Sequence, residues 1–266
     1  MNAQRGDLMN LELENKVALI VGASGCIGSS IAKTFAAEGC RLVLSSKNLD
    51  KLNQLRSELM AIQPEGSFVT YAADIQNFAK AKKLYEECVR QYQHVDILVN
   101  CISGPEIGDQ QNAGLSDEAW QQSFQGKLSS YIRMINLVLP EMKLNRCGKI
   151  INVVGLSAKE PNSRLLISGV INAGIINFTK AMAGEYGQYN ININAVNPGF
   201  IESKRFNQFV NANEEKINSI KHAIPLRRIG TPNDIANMIA FLASDRSGYI
   251  TGSTIAVDGG ISVSAF

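Results

Sequence analysis

Three glycines near the N-terminus have the spacing of a phosphate-binding turn. Gly22, Gly25 and Gly28 follow the apolar run 17–21 and precede apolar residues at helical spacing. Between a strand and a helix, the first glycine permits a tight turn, the second lets the backbone approach a pyrophosphate, and the third lets the helix pack on the strand. The positive dipole end of the helix would then face the phosphates. The pattern predicts a dinucleotide-binding turn, and a purely structural turn is the alternative.

The residues after the second predicted strand indicate which nicotinamide cofactor would bind there. An NAD-binding fold places Asp or Glu about 20 residues after the glycine turn, where it holds the ribose 2′-hydroxyl. This chain has Ser45, Ser46 and Lys47 at that place. A carboxylate would repel a 2′-phosphate, whereas hydroxyls and an ammonium would attract it. We therefore expect NADP(H) rather than NAD(H), with a solvated Lys47 as the alternative.

Strands and helices are predicted to alternate along the whole chain, which favours a parallel sheet covered on both faces. We expect an α/β fold, a Rossmann doubly wound seven-stranded parallel sheet, in one domain at 15–266 after a loose lead-in at 1–14. Ligands bind beyond the carboxyl ends of such strands. The predicted strands are 17–21, 41–46, 67–74, 95–104 (a strand that runs into a loop), 149–155, 191–197 and 253–260. The main later helices are 49–60, 78–92, 116–142, 163–186, 206–223 and 232–243.

Composition excludes several classes of function. The 266 residues include 26 Lys and Arg against 24 Asp and Glu, so nothing indicates a nucleic acid or a membrane surface as partner. The five cysteines form no CxxC pair and have no metal-ligand spacing, which is typical of reduced thiols and predicts no metal site. The N-terminus has no apolar signal region, and no apolar run approaches the length of a membrane span. We expect a soluble, cytoplasmic protein.

Five stretches of the chain resemble the short-chain dehydrogenase/reductase family. They are the glycine turn VGASGCIG, AAD at 72–74, DILVN at 96–100, NAVNPGFIES at 194–203 and the segment 225–260. The resemblance implies a Rossmann fold, an oxidoreductase acting on a small molecule, and a homodimer or homotetramer assembled through the helices at 116–142 and 163–186. One departure is Cys26, which stands where standard members have the middle glycine.

The resemblance also implies roles around the cofactor. Asp74 would lie near the adenine, Asn100 would line the cofactor, and the residues after the sixth strand would lie beside the nicotinamide. The segments 104–118 and 200–223 would form a pocket wall and a lid. The full predicted cofactor-binding set is Gly22, Ser24, Gly25, Ile27, Gly28, Ser46, Lys47, Asp74, Ile75, Asn100, Pro198, Gly199 and Ile201.

The residues that carry the family's chemistry do not match. The family has a tyrosine acid four residues before a lysine, a serine about thirteen residues before that tyrosine, and an asparagine on the preceding long helix. In this chain Ser168 aligns with the tyrosine and Asn172 with the lysine, while Gly155 replaces the serine and Lys127 the asparagine. The enoyl-reductase branch places its tyrosine where this chain has Leu165. The chain therefore resembles an atypical member that lacks the Ser-Tyr-Lys residues.

Three of these residues are candidates for a replacement chemistry. Lys127 could bind an anionic group or donate a proton, unless it is a solvated surface lysine. Asn172 could hydrogen-bond the nicotinamide ribose, and Ser168 is a poor acid with nothing obvious to tune its pKa. Tyr131, one helical turn beyond Lys127, is expected to pack in a subunit interface.

Two functions stay open at this point. The first is an NADP(H)-dependent oxidoreductase that acts through an altered site on an activated carbonyl or a conjugated alkene. It is favoured because the cofactor residues are so complete. The second is a non-redox protein: a cofactor-binding regulator, a scaffold, or a catalyst of another reaction. It is favoured by four substitutions at four catalytic positions.

Overall fold

The computed structural model describes residues 10–103 and 116–264, with the backbone alone for Arg164. Within them a seven-stranded sheet has the order β3-β2-β1-β4-β5-β6-β7, and every neighbouring pair is parallel. The predicted doubly wound α/β fold is confirmed. The strands are β1 Val17–Val21, β2 Arg41–Ser46, β3 Phe68–Ala72, β4 Ile97–Asn100, β5 Gly148–Val153, β6 Ile191–Pro198 and β7 Thr254–Val257.

Helices connect these strands and cover both faces of the sheet. Ala18 and Ile20 of β1 belong to one core cluster, whereas Val17, Leu19 and Val21 belong to another. This alternation follows from the two-residue period of a strand, and it makes the strand apolar throughout. The helices are α1 Cys26–Ala37, α2 Leu49–Ile62, α3 Phe78–Tyr92, α4 Asp117–Ser123, α5 Ser129–Asn145, α6 Leu166–Tyr186, α7 Lys204–Val210, α8 Glu214–Ala223 and α9 Pro232–Ala243.

Two of the predicted helices differ from those in the structure. The one predicted over 116–142 contains a π-helical turn, Phe124–Leu128, between α4 and α5. The one predicted over 206–223 is divided into α7 and α8, because Asn211 and Ala212 have positive φ angles of 51° and 54°. A helix cannot continue through left-handed residues. Three of the predicted strands, 67–74, 149–155 and 253–260, also end earlier than expected, since their last residues already belong to the loops at the carboxyl edge.

Part of the expected loose lead-in is packed. Leu13 is only 1% exposed and belongs to a core cluster, and its carbonyl accepts a hydrogen bond from Cys40 Sγ at 3.3 Å. Residues 1–9 lie outside the described residues, and so do residues 104–115 of the predicted pocket wall.

One helical segment among the described residues, Leu166–Tyr189 with mean hydropathy 1.3, is long and apolar enough to cross a membrane. The expectation that no apolar run approaches this length is therefore wrong. The apolar composition has a local reason, because Ile171 and Ile175 pack into a core cluster with Ala195 of β6 and with Val154, directly after β5. On the other side, Leu166 and Val170 are 44% and 47% exposed. A single such helix is weak evidence for a membrane segment.

Candidate active site

The glycine turn joins β1 to α1, and two of its glycines are required by the protein's own backbone. Gly22 has a φ of +87°, and a Cβ there would lie 2.2 Å from the Cys101 carbonyl oxygen. A Cβ on Gly28 would lie 2.2 Å from the Gly22 carbonyl oxygen. Gly25 is different, because its φ is −75° and the nearest atom to an added Cβ is 3.4 Å away. Packing gives no reason for glycine at position 25, whereas a ligand that approaches the backbone does.

The N-terminus of α1 has the properties of an anion site. The helix is 12 residues long, no side chain caps its first turn, and that turn carries no acidic residue. The free N–H groups and the helix dipole therefore favour a negatively charged ligand. Together with the open space at Gly25, this end of the helix fits the pyrophosphate of a dinucleotide.

Asn100 ends β4, the strand beside β1. Its Nδ2 donates to Asn152 Oδ1 at 3.0 Å, and Asn152 Nδ2 donates to Thr179 Oγ1 at 2.9 Å. The Asn100 Oδ1 atom is buried and has no hydrogen-bond partner among the described residues. A buried acceptor without a hydrogen bond destabilises the folded state, so a bound ligand or water is expected to donate a hydrogen bond to this oxygen. The carboxyl ends of β1 and β4 form the crevice where the strand order reverses, which is where doubly wound sheets bind nucleotides.

The ends of β2 and β3 form a basic cavity of about 330 Å³. Lys47 Nζ lies 3.1 Å from Asp74 Oδ2, and both side chains are partly exposed. Lys80 and Lys83 of α3 also line this cavity. Its three ammonium groups outnumber its one carboxylate, so the cavity favours a phosphate.

A cluster of polar side chains lies beyond β5. Lys127, in the π-helical turn, donates from Nζ to Asn172 Oδ1 of α6 at 2.8 Å. Asn172 Nδ2 lies 3.2 Å from both Ser157 Oγ and Ser168 Oγ, and donates to these hydroxyls. Lys127 is 8% exposed and Asn172 is 2% exposed. Three of the aligned positions are thus in one hydrogen-bonded cluster.

Burial changes the acidity of this lysine. It lowers the pKa of Lys127 from its ordinary 10.5 to about 8, because a charged ammonium loses its hydration there. The nearby positive charge of Arg205 lowers the pKa further. The alternative that Lys127 is a solvated surface lysine is wrong. Its neutral and charged forms both become accessible near physiological pH.

Comparisons with known proteins identify the family. The family model described as Enoyl-(Acyl carrier protein) reductase matches residues 22–262. The NADPH-dependent reductase BacG of Bacillus subtilis is 34% identical over 257 residues, which cover 93% of this chain and 98% of that protein. The chain belongs to the short-chain dehydrogenase/reductase family.

Two solved structures agree with this family. One is YwfH, an NADPH dependent reductase involved in bacilysin biosynthesis. It has a TM-score of 0.90 and 33% identity, and the match covers 94% of this chain and 100% of that chain. The other is L-sorbose reductase from Gluconobacter frateurii, complexed with NADPH and L-sorbose. It has a TM-score of 0.87 and 28% identity, and the match covers 95% of this chain and 98% of that chain.

In this short-chain dehydrogenase/reductase, most of the residues predicted to bind the cofactor lie at the carboxyl edge of the sheet. Ser24 and Ile27 lie in the glycine turn and the first turn of α1. Gly199 directly follows β6 and donates its N–H to the Val257 carbonyl at 3.1 Å. A Cβ on Gly199 would lie 2.7 Å from Asp258 Cα, so position 199 has a packing reason for glycine. Pro198 ends β6, and Ile201 forms an isolated bridge with Gly230.

Two of the expected roles need correction. Ser45 is fully buried, with no hydrogen-bond partner for its hydroxyl among the described residues, so only Ser46 and Lys47 of the expected group can meet a 2′-phosphate. The cofactor role of Ile75 stays a prediction, and its side chain belongs to the core while its carbonyl accepts from Arg133 at 2.7 Å. Tyr131 is buried within this chain and not at a subunit surface: its hydroxyl donates to the Val153 carbonyl at 2.8 Å. Burial raises the pKa of Tyr131 well above 10, which makes it a poor acid.

Sequence reasoning missed Ser157, Lys80 and Lys83. Ser157 lies two residues after Gly155 and contributes a hydroxyl to the cluster. Its closeness to an aligned catalytic position was a usable signal. Lys80 and Lys83 are three residues apart on one helix, a spacing that places both on one face. The predicted lid also has a structure of its own, because Phe206 and Val210 pack in a small cluster apart from the main core.

Proposed function

We propose that this protein is an NADPH-dependent reductase with an altered active site. Its substrate is an activated carbonyl or a conjugated alkene. The observation that carries the proposal is the glycine-lined, uncapped N-terminus of α1, in which Gly25 has no packing reason to be glycine. Membership of a reductase family, and the NADPH-dependent relatives, support it.

The preference for NADPH rests on the basic cavity. Ser46, Lys47, Lys80 and Lys83 would hold the 2′-phosphate, and no carboxylate replaces Ser46 at the end of β2. Asp74 would compete for Lys47, so the two lysines of α3 are expected to supply much of the attraction. Bound NADPH supplies a hydride from C4 of its nicotinamide.

The altered site bears on the kind of substrate. Gly155, Ser168, Asn172 and Lys127 stand at the four aligned catalytic positions, and none of these side chains is a tyrosine. General acid catalysis contributes about 10²–10⁴ in rate, whereas positioning contributes separately. A carbonyl or alkene that is already polarised by its neighbours needs less help from an acid. Such substrates are therefore the class proposed.

The first test is binding of NADPH against NADH. At a concentration of 100 times Kd, NADPH should stabilise the protein by about 2.7 kcal/mol, and Tm should rise by about 2–4 °C for each kcal/mol. Lys83→Ala should weaken NADPH binding about tenfold, since a hydrogen bond to a charged group contributes about 1.5–3 kcal/mol, and should leave NADH binding unchanged. Lys82→Ala is the matched control, because Lys82 is on the same helix but outside the cavity.

The second test is oxidation of NADPH with a panel of ketones, enones and acyl thioesters. Turnover of any panel member supports the proposal. Firm NADPH binding without turnover favours the alternative, a cofactor-binding regulator, scaffold or non-redox catalyst. That alternative draws on the same four substituted positions. Absence of NADPH binding would reject both the cofactor and the reductase.

The apolar outer face of α6 supports an assembly of this chain with itself. Leu165, Leu166 and Val170 are 37%, 44% and 47% exposed on or next to one end of that helix. We propose a homodimer or homotetramer that buries this face together with α4 and α5. Light scattering of the purified protein tests the proposal, and Val170→Glu should shift the mass towards the monomer. We also propose a cytoplasmic location, which fractionation of the source cells tests.

A further inference from the structure

Lys127 is a buried lysine, 8% exposed. Among residues 10–103 and 116–264, no carboxylate lies within ion-pair distance of its ammonium. Burial of an unpaired charge is unfavourable. A buried lysine without an ion-pair partner is therefore expected where a bound ligand supplies a negative charge or a dipole. Folding alone does not explain this lysine.

The groups around the Lys127 ammonium do not neutralise it. Its Nζ lies 5.7 Å from the centre of the Tyr131 ring on α5. Cys101, after β4, has a pKa raised to about 12 by burial, so the thiol is neutral at physiological pH. Arg205, at the start of α7, adds a second positive charge. The surroundings favour an incoming anion or a developing negative charge.

The described residues accept only one of the hydrogen bonds that the ammonium can donate. It carries three N–H groups, and its hydrogen bond to a described residue is the one to Asn172 Oδ1 at 2.8 Å. Asn172 is itself held by Ser157 and Ser168. A Cβ on Gly155 would lie 2.8 Å from Asn172 Nδ2, so this glycine leaves room for the amide. Asn172 is thus held by two hydroxyls, and its Oδ1 can hold the Lys127 ammonium in place.

Lys127 lies close to the place where the nicotinamide is proposed to bind. Asn197 Nδ2 donates to the Gly155 carbonyl at 2.7 Å, and Pro198 and Gly199 follow Asn197 directly. Asn172 is therefore linked through Gly155 to the end of β6. The ammonium and the hydride donor would approach the same part of a substrate.

Resting on the proposed function, we propose that Lys127 is the catalytic proton donor and that Asn172 is its positioning residue. The ammonium hydrogen-bonds the substrate oxygen on which negative charge develops. As the hydride of NADPH forms the new C–H bond, an N–H bond of Lys127 breaks and an O–H bond forms. NADPH is oxidised to NADP⁺, the substrate is reduced, and the neutral amine regains a proton from water.

The acidity of the group suits this role. A general acid works best when its pKa is near the working pH, and the pKa of Lys127 is about 8. Neither Ser168 nor Tyr131 has that property, because a serine hydroxyl is a weak acid and the pKa of Tyr131 is raised well above 10.

A second buried lysine provides a matched control. Lys149 donates to Asn192 Oδ1 at 2.8 Å and is 7% exposed, and burial lowers its pKa as well. It lies near the amino end of β5, however, and pairs with Asp245 at 3.6 Å. Lys149→Met therefore removes a buried lysine–asparagine hydrogen bond without touching the proposed site.

The first experiment measures binding and does not depend on turnover. Calorimetry on the NADP⁺ complex compares acetate, benzoate and cyclohexanecarboxylate with their neutral amides, since a carboxylate models the developing oxyanion. We expect at least one carboxylate to bind more tightly than its amide at neutral pH, with an affinity that falls about tenfold per pH unit above the pKa of Lys127. Lys127→Met should lose at least tenfold in carboxylate affinity, and Lys149→Met should not.

Asn172 is tested by the pH dependence. Asn172→Asp places a carboxylate against the ammonium and should move the midpoint of carboxylate binding to higher pH. Asn172→Leu removes the acceptor and should move the midpoint to lower pH. A merely structural role of Asn172 would change stability and leave the midpoint in place.

Turnover provides the final measurement. With any substrate that the wild-type enzyme reduces, Lys127→Met should lower kcat about a hundredfold or more. The pH at which kcat falls on the basic side should move up in Asn172→Asp and down in Asn172→Leu. Carboxylate binding that is no tighter than amide binding, or that is independent of Lys127, overturns the proposal. So does a Lys127→Met enzyme with more than about a tenth of the wild-type kcat, and that result would leave the reductase function intact. If the wild-type protein reduces no substrate while carboxylates bind through Lys127, the proposed reductase function and the proton transfer are rejected. The binding of an anionic oxygen by Lys127 is then retained.

Discussion

Replacing Lys127 by Met should change how the free energy of unfolding depends on pH. Below its pKa of about 8 the folded protein holds a buried ammonium, bonded to Asn172 Oδ1 at 2.8 Å. Between that pKa and the ordinary value of 10.5, the folded protein has released the proton while the unfolded chain still holds it. The unfolded state then binds more protons, so stability rises with pH. The penalty for burying the charge is present at low pH and is relieved as pH increases.

The size of this change follows from the two pKa values. One proton contributes about 1.4 kcal/mol per pH unit, so the wild-type protein should gain about 2.5 kcal/mol relative to Lys127→Met between about pH 7 and about pH 10. The hydrogen bond lost in the variant is a constant offset that does not affect this slope. Other groups titrate in this range in both proteins and cancel in the difference.

Urea unfolding of both proteins without cofactor, followed by the fluorescence of Trp120, measures the difference. The chain has one tryptophan, which simplifies the signal. Lys82→Met is the control, because Lys82 is exposed and should show no such slope. A stability difference between wild type and Lys127→Met that is the same at both pH values would refute the assignment of a buried, acidified lysine.

Three further predictions concern glycines. Gly25→Ala should fold with nearly unchanged stability, since the φ of Gly25 is −75° and an added Cβ is 3.4 Å from the nearest atom. It should nevertheless bind NADPH at least about tenfold more weakly, because the added methyl group would meet the pyrophosphate. Gly28→Ala should instead lower the free energy of unfolding by about 1–3 kcal/mol or more, as its Cβ would lie 2.2 Å from a backbone oxygen. Thermal unfolding and NADPH titration separate the two, and an equal loss of stability would contradict the explanation. Gly155→Ser should destabilise wild type more than it destabilises Asn172→Ala, because its Cβ would lie 2.8 Å from Asn172 Nδ2. A double-mutant cycle by urea unfolding measures this coupling, and effects that add within about 0.3 kcal/mol would speak against it.

The fold could be predicted from local signals. The two-residue period of the strands and the helical spacing of apolar residues are properties of neighbouring residues, so the strand–helix alternation is visible in the sequence. The steric demand at Gly28 is equally local in origin, because its Cβ would meet the Gly22 carbonyl of the same turn, whereas the demand at Gly22 comes from Cys101, after β4. Predictions failed where tertiary context decides the outcome. The division between α7 and α8 depends on two left-handed residues, and the burial of Ser45 depends on which way the end of β2 faces.

The sequence by itself determined the sheet and the glycine turn, and it predicted which residues align with the family's catalytic positions. Only the tertiary structure decided what those residues do to one another. Lys127 and Asn172 are 45 residues apart, and their hydrogen bond exists because α6 packs against the π-helical turn. The pKa of Lys127 likewise depends on how much water the surrounding elements exclude. Burial and contacts between distant side chains are properties of packing, and the pattern of residues along one segment does not contain them.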